Sequence, residues 1–239
     1  MSRMAMLIAA ALLFLALHFL ISGTRLRDVI TETIGDRAYL GLFSLASLAA
    51  IVWLAIGYNR AQAGADPQLF DLGQGVRHLG IPVIAIAFFL GVQGLLVRNP
   101  TRVQMGQPTA APADVIHGVV RVTRHPFLWS VVIWSAFHLA ANGDEASVIF
   151  FGTFFLVSLF GTAFIDAKRR RKMGAAWEAF AAKTSNIPFA AVISGRNTLN
   201  FTESLGWRFW AAVVVFVAVL FTHYHLFGVS PFPGGWVPF

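Results

Sequence analysis

The sequence predicts an all-α polytopic membrane protein. It forms a bundle of about six transmembrane helices, a single domain over residues 1–239, with both termini on the outer, periplasmic side. Three observations carry this expectation. Of 239 residues, 57% are hydrophobic and 12% charged, whereas a soluble domain carries about 25% charged residues. The mean hydropathy is +0.68. Apolar runs close to the roughly 20 residues that a helix needs to cross a bilayer recur along the whole chain.

The first run, 4–21, is followed by Ser22-Gly23-Thr24-Arg25 and has no small-x-small cleavage site before a polar region. It is expected to be a retained helix rather than a signal peptide. Runs at 38–58 and 78–97 follow. The fourth, 126–141, is short and opens on Pro126, which is well placed in a first helical turn. Asn142-Gly143-Asp144-Glu145 reads as a tight turn, so the fourth and fifth runs, 126–141 and 146–165, form an antiparallel hairpin. The sixth run is 209–227. The tail after it, "FGVSPFPGGWVPF", has too much Pro and Gly for a helix, and its Phe and Trp suit a lipid interface. A membrane-protein partner is also open for this tail.

Two stretches between runs, on the side expected to be cytoplasmic, have structure of their own. Asp114 to Val122 reads as a short amphipathic helix capped by Asp114. "DAKRRRKMGAAWEAFAAKTSNIPF" reads as an extension of the fifth helix, with Trp177 and Phe180 on one face. That face either anchors the chain at lipid headgroups or lines a site.

Charge sets the expected orientation. The loop at 22–37 holds Arg25, Arg27 and Arg37, the loop at 98–125 holds four basic residues, and the loop at 166–208 holds eight. All fifteen fall on one side of a six-span chain; the other side receives Arg3, Arg60 and Arg77. The rich side is cytoplasmic, and in a bacterium the protein belongs to the inner membrane.

The net charge of +7 could suggest nucleic acid. No nucleic-acid partner is expected, because the basic residues sit in loops between apolar spans, where anionic membrane lipids account for them. The chain has no cysteine. That excludes disulfides, thiolate metal ligands and a cysteine nucleophile, and leaves His, carboxylate, Met or Tyr to bind any metal.

Seven histidines remain: His18, His78, His117, His125, His138, His223 and His225. Ionisable residues inside spans are costly and are functional candidates. His18 lies within "LFLALHFLISG" and His138 within "WSAFHLAANG". Each is either a buried neutral histidine bonded to a backbone carbonyl or a metal ligand, and neutral imidazole is a good ligand for haem iron. His78, His223 and His225 lie at span edges. Arg124-His125-Pro126, at the start of the fourth span, either binds a carboxylate or phosphate at a helix amino end or lets Arg124 reach lipid phosphate.

"HFLISGTRLRD" at 18–28, "GLFSLASL" at 41–48, "VVRVTRHPFLWSVVIWSAFHLAANGD" at 119–144 and "KTSNIPFAA" at 183–191 resemble the NnrU family of bacterial membrane proteins. The resemblance runs over nearly the whole chain. That family includes plant zeta-carotene isomerases, haem b enzymes that turn a cis double bond of a carotene to trans without consuming oxygen. It implies haem b, iron ligation by His18 and His138, and an apolar polyene as the small-molecule substrate. Ser135 stands where the plant pattern has a cysteine. Bacterial members are associated with reduction of nitrite and nitric oxide, so the resemblance also implies a non-enzymatic haem or assembly factor for denitrification.

On the six-span topology the Cα atoms of His18 and His138 differ in depth by about 15 Å, counted at about 1.5 Å per residue. Two axial ligands need similar depths, so His117 and His125 stand in reserve. Arg124 and His117 are candidates to hold haem propionates by charge-assisted bonds.

Arg124-His125-Pro126 followed by Gly174, Trp177 and Phe180 is also similar to membrane isoprenylcysteine and phospholipid methyltransferases. That likeness implies an S-adenosylmethionine site at Arg124, His125 and Pro126. The Tyr of their pattern is Leu128 here, and their Glu pair is absent, with Asp166-Ala167 near its place.

Overall fold

The computed structural model describes residues 2–101 and 115–237, and among these it is helical with no strand beyond one isolated bridge, Gln68 to Asp144. Twelve α-helices are labelled in chain order. α1 is Arg3–Ala16, continued by a π-helical turn at Leu17–Ser22; α2 is Leu26–Ile34, α3 Asp36–Gln62, α4 Gln74–His78, α5 Gly80–Leu96 and α6 Val119–Val122. α7 is Pro126–Ala141, α8 Glu145–Met173, α9 Ala175–Lys183, α10 Ala190–Ile193, α11 Phe201–Ser204 and α12 Trp207–Phe227.

The six expected spans correspond to α1 with its π turn, α3, α5, α7, α8 and α12. Four of these are long and apolar enough to cross a membrane, while α5 and α7 are shorter apolar helices. The protein is a multi-pass membrane protein. The two short helices pack on each other, and α7 packs on α8.

α8 is the centre. It packs against α7, α1 and α3, while α5 packs on the far side of α7 and α12 on α5. Lipid-phase helices gain little from a hydrophobic effect and associate through close packing of small residues. Gly57 of α3 is a case in point: a Cβ there would stand 3.0 Å from the Leu7 Cα of α1. Gly94 of α5 is another, with the Phe127 backbone nitrogen of α7 2.7 Å from such a Cβ. Buried hydroxyls return to their own helix, Thr153 Oγ1 to the Ile149 carbonyl at 2.7 Å and Thr162 Oγ1 to the Leu159 carbonyl at 2.7 Å.

The turn between α7 and α8 is tight as expected, and Asp144 caps α8 by accepting from the Ser147 N–H at 2.8 Å. The chain after the fifth span departs from the expectation of a single extended helix. α8 runs to Met173, and Gly174, at φ 54°, reverses the path into α9. This reversal buries Trp177 and Phe180 completely, against Leu90, Val97, Val119 and Val120. They are core residues, and the lipid-anchor reading of this face is withdrawn. Of the helix expected over Asp114 to Val122, α6 is its Val119–Val122 part; Asp114 lies outside the described residues. After Phe227 the described residues of the tail include a short 3-10 turn at Pro233–Gly235.

Candidate functional site

Two groups of polar side chains stand out against the apolar bundle. The first lies in its middle layer. His18 lies in the first part of the π-helical turn Leu17–Ser22 that continues α1, and such turns are frequent at functional sites. Its Nδ1 lies 2.9 Å from the Phe14 carbonyl oxygen. His138 of α7 repeats the arrangement, with Nδ1 2.8 Å from the Trp134 carbonyl oxygen. A carbonyl only accepts, so Nδ1 carries the proton and donates it in both residues. Each Nε2 is then left with its lone pair. Donation from the far ring nitrogen is how metal-bound histidines are oriented.

Aromatic rings connect the two. His18 lies 4.2 Å from the Phe14 ring and 5.4 Å from Phe43 of α3. His138 lies 5.0 Å from Trp134 and stacks on Phe151 of α8 at 4.7 Å. Phe14 and Trp134 meet the same ring, Phe154 of α8, at 5.6 and 5.7 Å.

This register also sets the depths. Phe14 is level with Phe154 and Phe19 with Phe160, and His138 is level with Phe151. The Cα offset between His18 and His138 is therefore about 12 Å at about 1.5 Å per residue, close to the sequence expectation. Side chains lean toward the amino end of their own helix. α1 runs parallel to α8 and α7 antiparallel to it, so the two imidazoles lean toward each other, toward the layer of Phe154.

Ser135, one turn before His138, is fully buried and donates to the Val131 carbonyl at 2.6 Å. Its hydroxyl proton is committed to the backbone.

The second group lies at the basic end of the bundle. Pro126 starts α7 as expected, with His125 as its N-cap residue. Arg124 forms a forked pair with Asp166 of α8: Nε lies 3.0 Å from both carboxylate oxygens and the second fork contact is 2.5 Å. Arg124 also donates to the Thr184 carbonyl at 3.3 Å, and its guanidinium stands 5.6 Å from the Trp177 ring. His125, 2% exposed, places Nε2 2.6 Å from the other Asp166 oxygen. Burial, with Arg124 beside it, lowers the His125 pKa below its ordinary value, and Asp166 opposes the shift without reversing it. A neutral His125 then donates Nε2–H to Asp166.

The anion expected at Arg124 and His125 is thus supplied by the chain itself. A propionate or a cofactor carboxylate would have to displace Asp166. Sequence reading placed Asp166 beside a missing motif and gave it no role. The signal was present, because a carboxylate at the end of an apolar span requires a partner.

His117 sits in the turn before α6, where its carbonyl accepts from the Val120 N–H at 3.1 Å. The loop after α9 folds over the same region. The Arg124 N–H donates to the Ser185 carbonyl, and the Phe189 N–H to the Val122 carbonyl. Asn186 bridges Thr162, to which its Nδ2 donates at 2.9 Å, and Trp129, whose Nε1 donates to it at 3.2 Å. The stretches 119–144 and 183–191 therefore meet in space. His223, near the other end of α12, directs Nδ1 to the Val229 carbonyl at 2.8 Å. Among the described residues no group of three or more His, Cys, Asp or Glu could hold a metal ion.

The chain is 29% identical over 232 residues, 92% of its length, to the chloroplastic 15-cis-zeta-carotene isomerase of Arabidopsis thaliana. It is 27% identical over 179 residues, 73% of its length, to the enzyme of the same name from Zea mays. It spans 61% and 47% of those relatives' own lengths. No solved structure matches it. The family profile described as NnrU protein matches residues 6–231, nearly the whole chain, and the chain belongs to that family.

Proposed function

We propose that this protein is a haem b-dependent isomerase of the bacterial inner membrane, acting on a carotenoid-like polyene. The observation that supports it most is the pair of buried imidazoles. Both give Nδ1–H to a carbonyl one turn back, and both keep an Nε2 lone pair in an aromatic layer. Such a pair fits haem in donor chemistry: two neutral nitrogen ligands in dry, aromatic surroundings. The relatives named as 15-cis-zeta-carotene isomerases supply the substrate class.

In this reading His18 and His138 hold the iron across their offset in Cα depth of about 12 Å, because their imidazoles lean toward each other, and the Phe14, Phe43, Phe151, Phe154 and Trp134 rings line the cofactor and the polyene. Bound haem would supply an iron centre that, where one of the two imidazoles gives up its place, could interact with a double bond and lower its order. The protein's own part is to position the substrate and exclude water. Leu13 and Leu20 on α1 and Leu42 on α3 are 42%, 62% and 61% exposed, so a long apolar substrate can approach from lipid rather than through a polar mouth. The committed hydroxyl of Ser135 gives no free proton to the layer, consistent with a reaction that moves no proton.

The test uses purified, haem-supplemented protein, reduced under argon and given a 15-cis polyene in detergent. Chromatography should show conversion to the trans isomer without oxygen. Haem binding without conversion would reject the isomerase reading and favour a haem-carrying role in nitrogen-oxide respiration.

A further inference from the structure

The chain between α9 and α11 does not leave the bundle for water. It dips from Lys183 to Asn186 and returns through α10 to Arg196. Asn197 Nδ2 donates to the Lys183 carbonyl at 2.9 Å and ties the two limbs together at the top. Asn186 marks the depth of the dip, because it is bonded to Thr162 of α8 and Trp129 of α7. Thr162 stands one turn inside Asp166, where the charged end of α8 begins, and roughly 16 Å short of Met173 at the helical rise. The loop therefore lies beside the apolar part of α8 rather than past its end.

Irregular backbone at that depth needs partners, because lipid supplies none. Four successive carbonyls have them. Thr184 accepts from the Arg196 guanidinium at 3.0 Å, Ser185 from the Arg124 N–H at 2.9 Å, Asn186 from Thr123 Oγ1 at 2.5 Å and Ile187 from the Ala190 N–H at 3.2 Å. The Phe189 N–H donates to the Val122 carbonyl at 2.8 Å and the Ala191 N–H to Ser185 Oγ at 2.9 Å. A loop surrounded by water has no need of so full a set.

Its apolar side chains nonetheless stay outside the core. Ile187, Phe189 and Ile193 are 63%, 46% and 83% exposed. Phe189 sits at φ 65°, the one non-glycine residue at positive φ among the described residues. That conformation costs an L-residue about 1–2 kcal/mol, and it is held here with the ring still half exposed. In water, strain and exposure would both count against the fold. Against lipid, covering such a side chain contributes about 1.5–3 kcal/mol and offsets the strain.

We propose that residues 187–193 form a wedge in the leaflet at the basic end, with Ile187, Phe189 and Ile193 set against the lipid chains at the acyl–headgroup boundary. Lys183 and Arg196, both exposed, flank the wedge on its headgroup side. Depth decides the occupant: a water-soluble partner would have to pass the charged end of α8 to reach the level of Thr162, whereas acyl chains are already there. The wedge stands apart from the histidine layer and does not rest on haem binding.

The chain has no cysteine, so single cysteines can be placed and labelled cleanly. Ile187→Cys and Ile193→Cys each carry a nitroxide in the full chain, reconstituted in nanodiscs of phosphatidylcholine and phosphatidylglycerol. Both replaced side chains are more than half exposed, so neither substitution opens the core. Val214→Cys, at a 66% exposed position of α12, is the lipid reference. Glu178→Cys, at an exposed ion pair, is the water reference. Power saturation reads collisions with oxygen, which partitions into lipid, and with a neutral nickel chelate, which stays in water. Both loop labels should give an oxygen-to-nickel ratio several-fold above that at Glu178 and close to that at Val214. Nickel access at either loop position equal to that at Glu178 would overturn the wedge in favour of a loop in water. A label that neither reagent reaches would overturn it in favour of a protein surface, a second copy included, covering the patch.

Discussion

His125 and the pair His18 and His138 are all imidazoles buried at least in part in the same bundle, yet they are wired in opposite senses. His125 turns Nε2 onto Asp166, which is also gripped by the fork of Arg124. His18 and His138 turn Nδ1 onto their own helix and leave Nε2 without that bond. The first arrangement closes on itself and fastens α7 to α8. The second keeps a lone pair available in an apolar layer. Burial alone therefore does not separate these imidazoles; which ring nitrogen stays open does, and the proposed ligand role rests on that difference.

If this contrast is right, substitutions at the two places fail differently. Asp166→Ala leaves Arg124 without its counter-ion and His125 without an acceptor. Breaking one side of a buried ion pair costs about 3–5 kcal/mol, so denaturant unfolding in detergent should register a loss of that size. A near-neutral result would mean that water already reaches the pair. Arg124→Lys keeps the charge but loses the forked geometry and should fall well short of that loss.

His18→Ala and His138→Ala remove one helix-local bond each, worth about 1 kcal/mol. Haem retention on a desalting column should nonetheless fall about tenfold or more, since even outer partners of metal ligands cost 10- to 100-fold. Loss of fold together with haem would make these histidines structural and dissolve the contrast.

Acid separates the regions further. His125 is held neutral in the fold by burial and by Arg124, while the unfolded chain takes up a proton below about pH 6.5. The unfolded state then binds more protons, so stability falls as pH drops below that value. His125→Gln should remove the corresponding part of the slope of unfolding free energy against pH.

The smallest effect belongs to Arg121 and Glu203, a partly exposed counterpart of the buried pair. Arg121 Nε lies 2.8 Å from Glu203, which also accepts from the Gly118 N–H at 2.9 Å. These contacts hold the Glu203 carboxyl down at about 2. Its contribution is present above the ordinary carboxylate range and is lost as pH falls from about 4.3 toward 2. Glu203→Gln should cost under about 1 kcal/mol at pH 7 and nothing measurable near pH 2.

The spans were legible in the sequence because hydropathy and length report on lipid directly. Pro126 and the Asn142–Glu145 turn marked their helix ends for the same local reason. Asp166 was not legible as the partner of Arg124, because the two are 42 residues apart and only the α7–α8 register brings them together. Trp177 and Phe180 looked like an interfacial stripe. Gly174 turns them inward, and no periodicity in α9 states which face a preceding reversal will bury. His18 and His138 were legible as candidates, but the free nitrogen of each depends on a rotamer that sequence does not carry.

The most direct test is the absorption spectrum of detergent-purified protein, oxidised and then dithionite-reduced, for the wild type and for His18→Ala, His138→Ala and His125→Gln. The account predicts a Soret band that shifts on reduction with sharp alpha and beta bands. Those features should be lost or broadened in the first two variants and kept in the third. A featureless visible spectrum after haem-supplemented expression, or full haem in both His18→Ala and His138→Ala, would contradict it.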